Sequence, residues 1–354
     1  MNLDIGLAAR ILKPSVPTDQ LAVVVIARNE ERHIARCLDA LMLSLESYPD
    51  TPVILVDSGS TDRTVEIACA YPVQIYRYAG PCFTAAAGRR VGFEQTASRY
   101  VLFVDGDCCI EKGWIDHAMG RLGQDAQAGL IYGQRREVFE DATQGAIAAA
   151  PAPDEYALGG NALYRADALR RAGGFNPYLK AGEEAELLGR IIACGYRPLS
   201  SQRIMFVHYT QAKTSVKGFC TRFRRGLSRG LGQTLRAAIK QHLFAYHARR
   251  LNRYLITLAY LLMGVLLAIG AIALSRPILL AGWALVGTLA FILLCIRRRS
   301  IRYATYIVAD WISVAVYLPS DFLRSPPRLE EFDPSVERLR CVPTQHSSTL
   351  SSWT

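Results

Sequence analysis

From residue 21 onward, short apolar runs alternate with stretches of mixed, helix-like periodicity. "LAVVVIA" (21–27), "PVILVDS" (52–58), "VQIYRY" (73–78), "YVLFVD" (100–105) and "AGLIYG" (128–133) are short, bounded by polar residues and rich in β-branched or aromatic side chains. Such runs read as strands. One intervening helix begins near Glu30, and another lies in "TDRTVEIACA", where Thr61 or Asp62 is placed to cap it. Strands separated by helices predict βαβ units, a largely parallel sheet and an α/β fold. Residues 134–156, with "AIAAAPAPDE", read as a loop, and "RIMFVHY" (203–209) as the last strand.

The pattern changes after residue 212. Residues 254–274 and 277–296 contain two uncharged runs, each long enough as a helix to cross the ~30 Å of a bilayer core. Arg249, Arg250 and Arg253 precede the first run, while Arg297, Arg298, Arg299 and Arg302 follow the second; only Arg276 lies between them. The positive-inside rule then predicts a transmembrane hairpin with both outer ends in the cytoplasm. The run 303–318 carries Asp310 and precedes Pro319, and reads as an interfacial or re-entrant helix in preference to a third span. The chain therefore divides into an extension (1–20), an α/β domain (21–212), basic interface helices (213–253), a transmembrane region (254–319) and a cytoplasmic tail (320–354). The tail, with "SPPRLEEFDPS", reads as extended and weakly ordered. Asp4, Arg10 and Lys13 interrupt the first twenty residues, which have no apolar core and do not read as a secretory signal.

Charge sharpens this division. The 354-residue chain has a net charge of +10, but residues 213–253 hold eleven Lys and Arg and no acid. A single basic block beside apolar helices fits an anionic membrane surface and argues against nucleic acid. Within that block Phe219 and Phe223 are placed to insert among lipids. The expected location is the inner (plasma) membrane, multi-pass, with the α/β domain cytoplasmic. Nine scattered cysteines without a CxxC spacing read as reduced, buried thiols.

In an open α/β sheet, ligands bind beyond the carboxyl ends of the strands. Three of the first four strands end in polar clusters: "ARNEE" (27–31), "VDSGSTD" (56–62) and "VDGD" (104–107). Neither a G-x-G-x-x-G turn nor a Gly-Lys-Ser/Thr loop is present, which excludes the usual dinucleotide and P-loop sites. Asp105 and Asp107 are like charges two residues apart, and each raises the other's pKa unless a cation lies near. Paired carboxylates at a strand end suit Mg²⁺ or Mn²⁺, which keep positions open for phosphate oxygens.

Together with "AAAGRRVGF", "GGNALYRADALRRAGGFNPYLKAGEEAEL" and their order, these motifs resemble glycosyltransferase family 2 over about residues 21–212. The resemblance implies a GT-A fold, Rossmann-like with a mostly parallel sheet, and an inverting enzyme that uses a nucleotide sugar. It implies nucleotide contacts at Ala27, Arg28, Glu30, Asp57, Ser58, Arg89 and Asp105. The family commonly has two acids where this chain has Asp57 and Ser58. It further implies metal ligands at Asp105 and Asp107, with His208 in reach of the metal, and acceptor-side positions at Gly159, Gly160 and Asn161. "GEEAEL" (182–187) stands at the place of the catalytic base: Glu184 is the expected base, Glu183 the second choice, and Glu186 structural. Glu183 and Glu184 face directions about 100° apart on a helix, so one can face the cleft while the other pairs.

The implied reaction is a single displacement from a nucleotide sugar, UDP-linked by default or GDP-linked, to a hydroxyl of a lipid-linked or glycolipid acceptor in polysaccharide or glycoconjugate biosynthesis. Three rivals stand beside it. A processive polysaccharide synthase usually has more spans and a Gln-x-x-Arg-Trp motif, neither visible here. A polyprenyl-phosphate glycosyltransferase needs no base, and the third rival is an inactive nucleotide-binding scaffold.

Overall fold

The uninterrupted apolar run 21–27 becomes the central strand β1 (Leu21–Ala27), covered on both faces. Leu21, Val23, Val25 and Ala27 join one core cluster, with Ile34, Leu38 and Leu41 of α1 (Ile34–Ser44) and Trp114, Ile115 and Leu122 of α4 (Trp114–Gln124). Val24 belongs to the other cluster, with Ala87 and Val91 of α3 (Ala85–Glu94) and Leu187 and Ile191 of α6 (Glu183–Ala193). Alternation along one strand thus feeds two layers, and each fully buried Val, Leu or Ile contributes about 1.5–3 kcal/mol. Helices α2 (Thr64–Ala68) and α5 (Ala166–Arg171) complete the set around the sheet.

The structure, a computed structural model, describes residues 20–139, 147–149, 160–210, 219–220, 223–224, 226, 229–240, 244–324, 327 and 329–341. The extension 1–19, Gly159 and much of the basic block lie outside the described residues. β1 pairs in parallel with β2 (Val53–Asp57) and β4 (Tyr100–Asp105), and β2 pairs in parallel with β3 (Gln74–Ala79). Beyond β4 the sheet is mixed, through β8 (Ala162–Arg165), β6 (Ala128–Phe139), β9 (Arg197–Thr210) and β5 (Cys108–Ile110), with β7 (Ile147–Ala149) on β6. The fold is the expected mostly parallel, Rossmann-like GT-A arrangement. Residues 134–139 and 147–149, expected as loop, are strands; Arg135 and Arg136 lie at the edge of the site region, where a polar strand carries no apolar signal. The helix in "TDRTVEIACA" starts at Thr64, after Arg63 in the cap position; Asp62 Oδ1 still accepts from the Thr64 nitrogen at 3.0 Å.

The C-terminal region is helical: α7 (Leu231–Lys240), α8 (Phe244–Ala273), α9 (Ile278–Arg298) and α10 (Ile301–Leu323). The last three are long and apolar enough to cross a membrane by length and composition. α9 buries none of its residues, so its apolar surface calls for a non-aqueous neighbour. α8 and α9 are clasped by a reciprocal pair. The Tyr260 hydroxyl donates to the Trp283 carbonyl and Trp283 Nε1 to the Tyr260 carbonyl, both at 2.9 Å, with the rings stacked at 4.7 Å.

α10 includes Pro319, which sequence had placed beyond the helix. Phe219 and Phe223 stack on each other, while Phe219 meets Tyr306 edge-on and Phe223 meets Tyr317 at a tilt, both on α10. The tail also departs from expectation. After a short 3₁₀ turn (Leu329–Glu331), β10 (Ser335–Arg338) adds an antiparallel edge strand to β3. Cys341 is disulfide-bonded to Cys69, against the expectation of reduced thiols throughout.

Candidate active site

Because β2, β1 and β4 are parallel neighbours, their polar ends share one rim, with Ala27 opposite Asp57 and Ile26 opposite Asp105. The first two loops are sewn together. The Asn29 nitrogen donates to Ser60 Oγ at 2.9 Å, the Thr61 nitrogen to Asn29 Oδ1 at 2.8 Å and the Glu30 nitrogen to Thr64 Oγ1 at 2.7 Å. The Ser58 nitrogen donates to the Ala27 carbonyl at 3.0 Å. Asp57 is fully buried and accepts from Arg77 Nε at 2.7 Å and from the Ser60 nitrogen at 3.0 Å. Arg77 escaped the sequence reading, although it sits in β3 directly across from Asp57 on the same rim. Arg28 is exposed and lies over the Phe83 ring at 5.3 Å, while Glu30 pairs with His33 at 3.1 Å.

Asp105 finds a cation in the chain itself. Arg89, midway along α3 and only 2% exposed, reaches Asp105 Oδ1 at 2.8 Å, Glu183 Oε1 at 3.0 Å and Glu184 Oε1 at 3.6 Å. Asp105 is also held by Asn161, whose Oδ1 accepts from the Asp105 nitrogen at 2.8 Å and whose Nδ2 donates to Oδ2 at 3.3 Å. With both terminal nitrogens bonded to carboxylates, Arg89, expected at the nucleotide, bridges Asp105 and Glu183. Asn161 likewise orients the strand end, and Gly160 (φ +82°) brings the backbone so close that any side chain would collide with Arg89 and Asp105. Gly159 lies outside the described residues.

Electrostatics follow this geometry. Burial opposes the charged form of Arg89, but Asp105, Glu184 and Glu183 outweigh it and raise its pKa. Burial raises Asp105, and Arg89 offsets only part of the effect. Glu183 is pushed up to about 8, chiefly by burial and then by its neighbour Glu184. Glu184 has the more open side chain of the two, 14% exposed against 9%. Glu186 is paired by Arg190 through two bonds of 2.9 and 2.6 Å, away from this cluster.

A second cluster holds Asp107. The turn Gly106–Asp107 leads into β5, whose Cys108 pairs across the sheet with His208 of β9. That register brings His208 Nε2 to 3.1 Å from Asp107 Oδ2. Burial raises Asp107, yet the His208 hydrogen bond and charge, with Cys108, leave its pKa lowered. Asp107, Cys108 and His208 have ligand atoms within 4.8 Å of one another. A carboxylate and an imidazole fit Mn²⁺, and the carboxylate also fits Mg²⁺. The Cys108 thiol fits less well, since burial followed by Asp107 and Asp105 raises its pKa. Asp105, expected as a ligand, lies outside this group, and its oxygens are bonded to Arg89 and Asn161.

Comparison with known proteins agrees with the motifs and the fold. Residues 22–172 match the profile of "Glycosyl transferase family 2". The glycosyltransferase AglE of Haloferax volcanii is 26% identical over 191 residues, which is 50% of this chain and 62% of that protein. This match therefore spans less than two thirds of that relative's length. Among solved structures, the mannosyltransferase PcManGT of Pyrobaculum calidifontis, in complex with GDP-Man and Mn²⁺, superposes with a TM-score of 0.61 at 19% identity, covering 88% of this chain and 93% of its own. TarS 1–349 of S. aureus, in complex with UDP, gives 0.52 at 16% identity, covering 85% and 90%. The motifs stand in order on the rim of the sheet, inside the residues 22–172 that are similar to glycosyl transferase family 2.

Proposed function

We propose that this chain is a membrane-bound, inverting glycosyltransferase that moves a sugar from a nucleotide sugar to a hydroxyl of a lipid-linked or glycolipid acceptor. The observation that carries the reading is the Arg89 bridge, which ties Asp105 at the end of β4 to Glu183 and Glu184 at the start of α6. A donor held beyond the strand ends then lies beside a carboxylate able to take a proton. Glu183 is the more buried of the two, and burial with its neighbour Glu184 raises its pKa, so the proton acceptor in this reading is the more open Glu184. Arg89 holds Glu184 close and keeps Asp105 from repelling it. The stitched loops around Ala27, Arg28, Glu30, Asp57 and Ser58 bind the nucleoside end of the donor.

Asp107 and His208 are the residues that would hold Mn²⁺ or Mg²⁺. Such an ion, when bound, neutralises the charge of the leaving diphosphate. The hairpin α8–α9 anchors the chain, and the basic block lies on anionic headgroups with the catalytic domain on the cytoplasmic face. That placement gives the domain a membrane-borne acceptor.

The test is a panel of UDP- and GDP-sugars with full-length protein in nanodiscs containing anionic and polyprenyl lipids, reading nucleotide release. Release that needs both a hydroxyl acceptor and a divalent ion, and that is lost in Asp107→Ala, supports the reading. Absence of nucleotide-sugar binding, or an Asp107→Ala variant as active as the parent, overturns it. Transfer only to a polyprenyl phosphate, unaffected by Glu184→Gln, assigns the chain to phosphate acceptors instead.

A further inference from the structure

The glutamates at the start of α6 follow a turn, Lys180–Gly182, that is braced by elements outside the sheet domain. Gly230 presses its backbone against this turn. A Cβ there would stand 3.0 Å from the Ala181 nitrogen and 3.3 Å from the Lys180 nitrogen, and the φ of +103° disfavours a side chain on its own account. Thr234, buried in the first turn of α7, shares its hydroxyl proton between the Ala181 and Gly230 carbonyls, both at 3.3 Å, and Leu231 lies over Gly182.

Gly230 is held in turn from α10. Its nitrogen donates to Asp321 Oδ2 at 2.7 Å, in a buried contact ninety-one residues apart in sequence. Asp321 is itself buried, near the end of a helix otherwise dominated by apolar residues. A buried carboxylate is costly unless hydrogen-bonded. Here its bond also satisfies a backbone donor at the start of α7, where negative charge is favoured. The crossing is tight, since α7 and α10 meet backbone to backbone at Gly232. Arg236 closes it by donating to the Phe322 and Leu323 carbonyls at 3.2 and 3.0 Å.

We propose that Asp321 is a positioning residue for the transfer reaction. Through Gly230 it fixes the 180–182 turn, and thereby the two glutamates that Arg89 grips from the other side. The proton-accepting carboxylate is then located by the sheet domain and by the membrane-region helices together. This inference rests on the reading of Glu184 as proton acceptor.

Full-length protein in nanodiscs provides the test, with Asp321→Ala, Asp321→Asn and Thr234→Val beside the parent. Asp321→Ala is expected to lower kcat by about tenfold to a hundredfold through displacement of the glutamates. Donor KM and nucleotide Kd should stay within about twofold of the parent, since the lost contact serves neither. Asp321→Asn keeps an oxygen that accepts the Gly230 bond and should restore most of the rate. Independently of activity, hydrogen exchange at the amides of 180–186 should quicken in Asp321→Ala, while that of 105–108 stays unchanged.

Parent-like kcat with parent-like exchange overturns the proposal. So does equal loss of rate and donor binding, or a folded Asp321→Asn that recovers nothing. If Asp321→Ala does not fold, Thr234→Val decides by the same split between kcat and donor binding. Should the parent transfer no sugar, the functional reading fails by itself, while the exchange at 180–186 still reports on the brace.

Discussion

Removing Arg89 leaves three carboxylates facing one another without a counter-charge. Arg89→Met is expected to cost about 3–5 kcal/mol, the usual consequence of breaking a buried ion pair from one side. The loss, read from thermal melts, should shrink as pH falls and the stranded acids take up protons. Arg89→Lys should restore little, because a single ammonium lacks the two-ended reach to Asp105 and Glu183. Glu184→Gln should lower turnover at saturating donor by about 10²–10⁴-fold with nucleotide affinity nearly unchanged. Glu183 makes a different prediction. Its folded pKa of about 8 lies above the ordinary 4.5, so the folded state keeps a proton that the unfolded chain releases. It therefore contributes stability that is full below pH 4.5 and is lost as pH rises toward 8. Glu183→Gln, which cannot ionise, should melt with a flatter pH dependence across that window. The acids of this site were legible as motifs, each marked by a strand end or a helix start. Their cation was not: Arg89 looked like a helix arginine near a nucleotide, and only the packing of α3 under the sheet turns it toward Asp105 and α6.

Elements with an apolar signature were read well and those without one were missed. The strands at 21–27, 53–57, 74–79 and 100–105 announce themselves by β-branched or aromatic side chains. β5 has three residues, β8 four, and β10 is exposed at every position, held to β3 by backbone pairing and by one bond from Ser335 Oγ to the Ala79 carbonyl. No periodicity reveals such a strand. The hairpin helices were foreseen from their uncharged runs, but α8 begins ten residues before its apolar run, because Phe244–Arg253 is amphipathic and basic. Their clasp was invisible, as it depends on which residues meet. Trp283→Phe keeps the stacked ring and deletes the bond from Nε1 to the Tyr260 carbonyl. Interhelical hydrogen bonds in membranes are worth about 0.6–2 kcal/mol, which sets the expected loss in unfolding experiments in mild detergent. A larger residue at Gly264, whose Cβ would stand 2.7 Å from the Trp283 ring, should separate the helices altogether.

At the scale of the molecule, arginines at both outer ends of the hairpin predict a defined sidedness. A membrane-impermeant thiol reagent applied to intact cells should label Ser275→Cys, between α8 and α9, and should not label Ser348→Cys in the tail. Labelling of both would overturn the two-span hairpin. Composition by itself allows a third crossing, since Ile301–Leu323 is as long as the others. The edge strand β10 and the Cys69–Cys341 bond bear on that count in a way that hydropathy does not. The chain leaves the sheet domain after β9 and comes back to it at residue 335, so the intervening stretch is a closed excursion. A closed excursion that starts and finishes on one side of a barrier passes through it an even number of times. Three crossings are therefore incompatible with a tail that is hydrogen-bonded to β3, whatever the length of α10. With α8 and α9, whose uncharged runs are the longest, as the expected round trip, α10 is then expected to stay on the side where it began.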